Sequence, residues 1–104
     1  MPEHRVVKIT PTFEADLDRQ LPAERSSTGV PSRLDFLLYE LPDIMEIYAT
    51  EFESLPRIVG APANVRSLIG RGQLVELYFV AGKLNDDDTI ELQMIDIELR
   101  PFTS

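Results

Sequence analysis

Four basic residues in the last third of the chain are the first candidates for chemistry, because converging cations can hold a phosphate or an acidic target. They are Arg66, Arg71, Lys83 and Arg100, four of the ten Lys and Arg residues in the sequence. At short range, a local positive field outweighs the charge of the whole molecule. The alternative is that they form ion pairs with acidic residues of neighbouring strands, namely Glu76, Glu91 and Glu98. The sequence favours ion pairing and leaves target binding as the site hypothesis.

Acidic residues form two further candidate sites. The sequence Asn-Asp-Asp-Asp at residues 85–88 offers oxygen ligands for calcium, but it lacks the central Gly and the terminal Glu of an EF-hand loop. Because Asn and Asp are common turn residues, a solvated hairpin turn is the better interpretation. A pair of carboxylates for acid–base catalysis would need a cleft. The acidic residues of the predicted helices therefore indicate a solvated face; they are Glu40, Asp43, Glu46, Glu51 and Glu53.

The residue inventory excludes several kinds of active site. The chain has no Cys and no Trp, and its one His, His4, lies near the N-terminus. Thiol catalysis, disulfides, Cys-based zinc sites and a His-dependent triad are therefore excluded. A metal site needs three or four ligands, and no second His exists to join His4. We expect neither a metal nor a cofactor.

Size and charge restrict the kind of partner. The 104 residues suit one domain, spanning residues 1–104, and 43% of them are hydrophobic. Ten basic against eighteen acidic residues give a formal net charge of −8, which disfavours binding to bare DNA, RNA or anionic lipid. The N-terminus is polar, and no stretch approaches the roughly 20 apolar residues that cross a bilayer. We therefore expect a cytoplasmic protein that binds another protein.

The elements that position these residues begin with a short strand and a helix. Residues 5–10 are rich in β-branched side chains, which predicts a strand. Thr10 and Pro11 then form a helix start, with Thr10 as the N-cap and Pro11 at the first helical position. The helix carries one apolar stripe, made of Phe13, Leu17 and Leu21. Its solvent side is predicted to hold Asp16, Asp18, Arg19 and Gln20.

A second helical region follows over residues 31–55. Its apolar positions run on both sides of Pro42, which favours a break between two helices without excluding a single kinked one. Asp43 and Glu46 have the spacing of a capping box, so the sequence predicts that a new helix starts there.

The last third of the chain has the pattern of strands. Residues 64–69 form a short strand, and residues 70–72 (Gly-Arg-Gly) are predicted to make a tight hairpin turn. In the next strand one face is wholly apolar, formed by Val75, Leu77 and Phe79, and the other is mixed, which indicates a central strand. The apolar alternation of residues 89–100 slips by one position near Met94 and Ile95, which predicts a β-bulge. The sum is an α+β domain of order β-α-α-β-β-β, with helices on one face of an antiparallel sheet.

This order of elements resembles the RelE/ParE superfamily of toxins from bacterial type II toxin–antitoxin modules. The resemblance spans almost the whole chain and includes the strand ending in Thr10-Pro11, the helix over residues 13–17 and the helical segment ending in Leu55-Pro56. It continues through the sequence Val-Arg-Ser-Leu at residues 65–68 and the sequence Leu-Tyr-Phe-Val at residues 77–80, which precede an acidic turn and a last strand.

The resemblance implies growth inhibition that a cognate antitoxin relieves. RelE-like members cleave mRNA in the ribosome with basic residues, often together with Tyr or His, whereas ParE-like members target DNA gyrase. Arg66 occupies the position of the family's strand Arg, and Arg100 falls where its C-terminal cations lie.

Two features of the chain depart from the family pattern. Such toxins are usually basic, whereas this chain carries −8, and no His accompanies Arg66 or Arg100. RNA cleavage needs a base, an acid and charge stabilisation, and the sequence offers candidates for the last alone. We therefore expect a toxin-fold protein that acts by binding protein rather than as a ribonuclease.

An alternative function follows from the net charge. An acidic interaction module, such as an immunity protein or an inhibitor, would cover a basic nucleic-acid-binding partner and bind it less tightly as salt rises. An exposed edge strand would also permit a homodimer, although nothing in the sequence requires one.

Overall fold

The computed structural model describes residues 4–24 and 29–99. These residues form three α-helices, a short 3-10 turn and four strands. In chain order the elements are β1 (Val7–Ile9), α1 (Pro11–Gln20), α2 (Arg33–Tyr39), α3 (Leu41–Glu51), the 3-10 turn (Phe52–Ser54), β2 (Val65–Gly70), β3 (Leu77–Leu84) and β4 (Ile90–Glu98). This architecture confirms the predicted α+β class.

The four strands form one mixed sheet in the order β1-β4-β3-β2. Strands β2, β3 and β4 are antiparallel neighbours, as predicted, but β1 runs parallel to β4. The expectation of a purely antiparallel sheet is therefore wrong. All three helices and two strands separate β1 from β4 in the chain, and such a long connection can bring two strands together in parallel. Strand β3 lies between two neighbours, which confirms its predicted central place.

Helix α1 begins as predicted, and Asp18 and Arg19 are on its solvent side as predicted, but Asp16 and Gln20 are not. The Thr10 hydroxyl accepts a hydrogen bond from the Phe13 amide, and the stripe of Phe13, Leu17 and Leu21 is buried. Asp16 is also buried, and its Oδ2 accepts from the Ile95 amide at 3.1 Å. Strand β1 ends before this part of β4, so no strand of the described residues pairs with β4 on that side. Polar side chains of α1 take the place of that partner.

The helical region breaks next to Pro42, as the sequence favours. The last residue of α2 is Tyr39, and α3 starts at Leu41 with Pro42 in its first turn. The capping box predicted at Asp43 and Glu46 is wrong, because Asp43 already lies within the helix and no side chain caps α3.

A capping box is present one helix earlier, at the start of α2. The Ser32 hydroxyl accepts from the Asp35 amide at 3.1 Å, and the Asp35 carboxylate accepts from the Ser32 amide at 3.0 Å. The reciprocal bonds satisfy two amides at the N-terminus of a helix of only seven residues.

The predicted bulge in the last strand is confirmed. The pairing of Ala81 with Met94 is followed by that of Gly82 with Leu92, so Gln93 has no partner in β3. Leu92 and Ile95 are both buried although three positions separate them. The extra residue therefore keeps the apolar side chains of both halves of β4 on one face.

The helices pack on the face of the sheet that carries Val80, Leu92 and Ile95, here called the inner face. Tyr48 of α3 lies directly against Gly82, where an added Cβ would approach the Tyr48 ring to 2.5 Å. Its hydroxyl donates to the Arg66 and Val80 carbonyls at 2.9 and 3.1 Å, and burial raises the pKa of this phenol. Gly82 thus lets an aromatic residue reach the sheet backbone.

The connection between β2 and β3 is longer than predicted. Strand β3 begins only at Leu77, so residues 71–76 form a loop in place of a three-residue turn. The Gln73 amide donates to the buried Glu40 carboxylate at 2.7 Å, which fixes this loop to the junction between α2 and α3.

Candidate functional site

Arg66, the strongest candidate from the sequence, is bound to the protein's own backbone. Its Nη1 donates to the carbonyls of Glu53 and Leu55 at 3.0 and 2.8 Å, and its Nε donates to the Ala63 carbonyl at 3.1 Å. The guanidinium also lies 5.4 Å from the centroid of the Phe52 ring. These contacts join the segment after α3 to strand β2.

The other candidate cations lie apart from Arg66. Arg71 is exposed in the loop after β2. Lys83 pairs in register with Val65 of β2 and Glu91 of β4, and residues adjacent in a strand point to opposite faces. Lys83 therefore lies on the face of the sheet opposite Arg66. There it is beside Glu91, one of the acidic residues with which the sequence predicts ion pairs. Arg100 lies outside the described residues.

The acidic turn makes specific contacts within the protein. The Asp87 carboxylate accepts from the amide and the hydroxyl of Thr89 at 3.1 and 2.6 Å, and these bonds hold its pKa below the ordinary value. Asp88 has a φ of 70°, a conformation that Asp tolerates better than most residues. Asp88 also pairs with Arg5 at 2.8 Å. The turn thus has the hydrogen-bonded geometry expected of Asn and Asp in a hairpin.

Arg5 connects this turn to the helical region. Besides Asp88, its guanidinium pairs with Glu53 at 2.6 Å, although the Arg5 side chain itself is only 15% exposed. The hydrogen bond from Arg5 lowers the pKa of Glu53, and the two carboxylates together raise the pKa of Arg5. His4, next to it in the chain, pairs with Glu46 at 2.8 Å on the surface.

The opposite face of the sheet, here called the outer face, carries no helix among residues 4–24 and 29–99. It carries the side chains that alternate with those of the inner face, which include Lys83 and Glu91 toward one end and Ile69, Leu77, Phe79, Met94, Asp96 and Glu98 over the rest. Ile69 of the edge strand β2 is 66% exposed, and Met94 of β4 is 37% exposed. The outer face therefore offers apolar contact area to another molecule.

Carboxylates border this apolar area at one end of the sheet. Phe79 pairs in register with Ile69 on one side and Asp96 on the other, and Leu77 pairs with Glu98. Within residues 4–24 and 29–99, neither Asp96 nor Glu98 forms an ion pair or a side-chain hydrogen bond. These five side chains border a cavity of about 160 Å³, here called the outer-face slot.

The sequence contains a pattern that indicates this acidic surface, although the sequence analysis above does not identify it. Asp96 and Glu98 alternate with the apolar Ile95 and Ile97, so β4 beyond its bulge has one apolar and one acidic face. The apolar face predicted for β3 includes Leu77 and Phe79, but these side chains lie on the outer face while Tyr78 and Val80 are buried.

A second groove, of about 320 Å³, lies between β1 and α3. Its walls include Val7, Pro42, Met45 and Ala49, and its entrance includes the pair of His4 and Glu46. The Arg5 amide donates to the Ala49 carbonyl at 3.1 Å, so the two walls are joined at one end.

Three findings complete the description of possible sites. Within the described residues, no group of three or more His, Asp or Glu side chains is placed to hold a metal ion. No helix in the same residues is long and apolar enough to cross a membrane. Comparison of the chain with protein-family models, with curated proteins and with solved structures finds no match in any of the three.

Proposed function

We propose that this chain is an acidic protein-interaction module whose outer face binds a basic protein partner. The observation that carries the proposal is the apolar surface of the exposed Ile69 and the half-buried Phe79 and Leu77, bordered by the exposed residues Asp96 and Glu98. Apolar area supplies affinity, and unpaired carboxylates supply selectivity for a cationic partner.

The charge of the whole molecule supports the same function. A net charge of −8 attracts a cationic partner over the Debye length, about 10 Å at 0.1 M salt, and so accelerates its approach. The contacts of Arg66 with three backbone carbonyls engage the guanidinium in the fold. An acidic binding surface therefore has more support than a cationic one.

The test is co-purification with the product of the neighbouring gene, followed by titration with salt. We expect a complex that weakens between about 0.1 and about 1 M NaCl, over which the Debye length falls from about 10 to about 3 Å. The double variant Asp96→Asn/Glu98→Gln should weaken the complex. The control Glu51→Gln/Asp86→Asn removes the same charge elsewhere and should have little effect.

Two results would contradict this proposal. The first is a complex that is insensitive to salt, because an acidic surface that binds a basic partner must respond to screening. The second is an equal effect of the two double variants, which would mean that total charge matters and the outer face does not.

A RelE/ParE-like toxin that acts by binding protein is the second candidate function. The observation that favours it is the order of elements, in which one strand precedes the helices and a three-stranded antiparallel meander follows them. In this candidate the partner that shields the chain is an antitoxin.

Growth after expression separates the two candidates. A toxin should arrest a bacterial culture when it is induced alone, and co-expression of its neighbour should restore growth. An interaction module without toxicity should leave growth unchanged at verified soluble expression. Arrest that the neighbour relieves would therefore favour the toxin.

A further inference from the structure

We propose that the outer-face slot takes one arginine side chain of the partner protein. This inference rests on the proposed function and names the group that the outer face recognises. Its basis is the arrangement of Phe79 and Leu77 beside two carboxylates that lack a cation in the described residues.

The size of the slot favours a side chain over a free small molecule. Sites for drug-sized ligands have volumes of about 300–1,000 Å³, whereas the slot has about 160 Å³. A site smaller than these suits one extended side chain that enters from a partner surface.

The positions of the apolar and acidic groups match the two parts of a long cationic side chain. Phe79 lies between Ile69 and Asp96 across three strands, so a chain of methylene groups would rest on the apolar side. Its charged end would meet Asp96 and Glu98, which are two residues apart in β4 and therefore point to the same face.

Arginine fits this arrangement better than lysine. Its planar guanidinium has five donors, which can serve two carboxylates at once, and it stacks on an aromatic ring. It also loses hydration more readily than an ammonium group. Phe79 provides the aromatic ring, and Asp96 and Glu98 provide the acceptors. The slot can therefore stack against a guanidinium and accept its hydrogen bonds.

The test uses small probes, so it does not depend on the identity of the partner. The chain is titrated with N-acetylarginine amide, with its lysine and leucine counterparts, and with the citrulline counterpart, which has the shape of arginine without its charge. Amide NMR chemical shifts locate each probe. We expect the arginine probe to shift Phe79, Asp96 and Glu98 with a dissociation constant on the order of 1 mM, and to bind about tenfold more tightly than the citrulline probe.

Variants make the test specific. Asp96→Asn/Glu98→Gln should weaken binding of the arginine probe about tenfold, whereas the control Glu51→Gln/Asp86→Asn should leave it within about twofold. Unchanged shifts far from the slot would show that each variant is folded. Equal binding of arginine and citrulline, tighter binding of leucine, or shifts confined to the groove beside β1 would each overturn the proposal.

The outcome is separable from that of the proposed function. If the arginine probe fails at the slot while Asp96→Asn/Glu98→Gln still weakens the complex with the neighbouring gene product, the outer face remains the interface and the arginine assignment is wrong. If Asp96→Asn/Glu98→Gln leaves the complex unchanged but the arginine probe binds at the slot, the arginine site is present and the proposed interface is wrong.

Discussion

Arg66 is the residue whose interpretation changes most between sequence and structure. In the sequence it is a cation on a predicted strand, for which an ion pair with a neighbouring strand is favoured and target binding is the site hypothesis. In the structure its guanidinium donates to the carbonyls of Glu53, Leu55 and Ala63. Leu55 and Ala63 lie outside the helices and strands, and Glu53 lies in the 3-10 turn. Such carbonyls have no ladder partner, and one charged side chain satisfies three of them.

Replacement of Arg66 by Ala should therefore destabilise the fold. Hydrogen bonds from a charged donor contribute about 1.5–3 kcal/mol each when buried, and partial exposure reduces the sum. We expect Arg66→Ala to lower the free energy of unfolding by about 2 kcal/mol in urea titration. Arg71→Ala, at an exposed cation with no side-chain bond to a described residue, should change it by less than about 0.5 kcal/mol. Equal effects would contradict a structural role for Arg66.

The pair of Arg5 and Glu53 predicts how stability responds to acid. The hydrogen bond from Arg5 lowers the pKa of Glu53 in the folded chain below the ordinary 4.5. The unfolded chain therefore binds more protons near this pH, so this contribution is complete above pH 4.5 and is lost as the pH falls through the folded pKa.

Thermal denaturation of the wild type and of Glu53→Gln between pH 6 and pH 3 checks this. The stability difference between them should shrink as the pH falls, because protonation of Glu53 removes the charge that the variant already lacks. A difference that grows toward acid would contradict the assignment.

Whether the sequence predicts the contacts of a residue depends on how far along the chain its hydrogen-bond partners lie. Thr10 caps α1 through the Phe13 amide, three residues later, and the sequence alone indicates this bond. The partners of Arg66 are backbone carbonyls up to 13 residues away, and a carbonyl has no signature in the sequence. Only the path of the chain after α3 brings them to the guanidinium.

At the scale of elements, α1 acts as a substitute for an edge strand. The Ile95 amide donates to Asp16, the Ile97 amide donates to Gln20 at 2.6 Å, and Gln20 returns a bond to the Ile95 carbonyl at 2.8 Å. These groups of β4 lie beyond the end of β1 and would otherwise form an open edge, which invites pairing with other chains.

Asp16→Ala should expose this edge. It leaves the buried Ile95 amide without an acceptor, at a cost of about 1–3 kcal/mol. We expect faster hydrogen exchange at Ile95 than in the wild type, whereas Asp16→Asn, which keeps an oxygen acceptor, should retain most of the protection. Unchanged exchange in Asp16→Ala would mean that another group covers the amide.

Elements differ in how much of their arrangement the sequence predicts. The bulge in β4 is visible as a slip in apolar alternation, because burial on one face demands it. The parallel pairing of β1 with β4 has no such pattern, since three residues of β1 would alternate alike in either direction. The polar bonds of Asp16 and Gln20 depend on that pairing, so the sequence places both residues on the wrong side of α1.

At the scale of the whole molecule, the fold distributes a charge that the sequence predicts only in total. Three described arginines form ion pairs with acidic residues, in the contacts Arg5–Glu53, Arg5–Asp88, Arg19–Asp16 and Arg33–Asp18, and His4 contacts Glu46. Asp96 and Glu98 belong to none of them. The excess of negative charge therefore includes the outer face, where Ile69 and Met94 are exposed, and the proposed binding of a basic partner rests on this coincidence.

The same excess of negative charge should make the folded chain more stable as the salt concentration rises. At 0.01 M salt the Debye length is about 30 Å, longer than the two shorter dimensions of the molecule, 26 and 24 Å. Like charges then repel across the whole protein. At 0.15 M it is about 8 Å, which screens that repulsion while ion pairs with N–O distances of 2.6 to 2.9 Å keep much of their attraction. We therefore expect Tm to rise with NaCl over this range, by about 4–8 °C for each 1 kcal/mol gained.

A matched variant separates net charge from the effect of salt on solvent. Glu51→Gln/Asp86→Asn removes two negative charges at exposed side chains that bond to no described residue. It should have a higher Tm than the wild type at low salt and a smaller rise with NaCl, because less repulsion remains to be screened. A Tm that falls with salt in both proteins would mean that ion pairs dominate. The long-range attraction for a basic partner would then be weaker than the net charge implies, since the same unscreened field governs both.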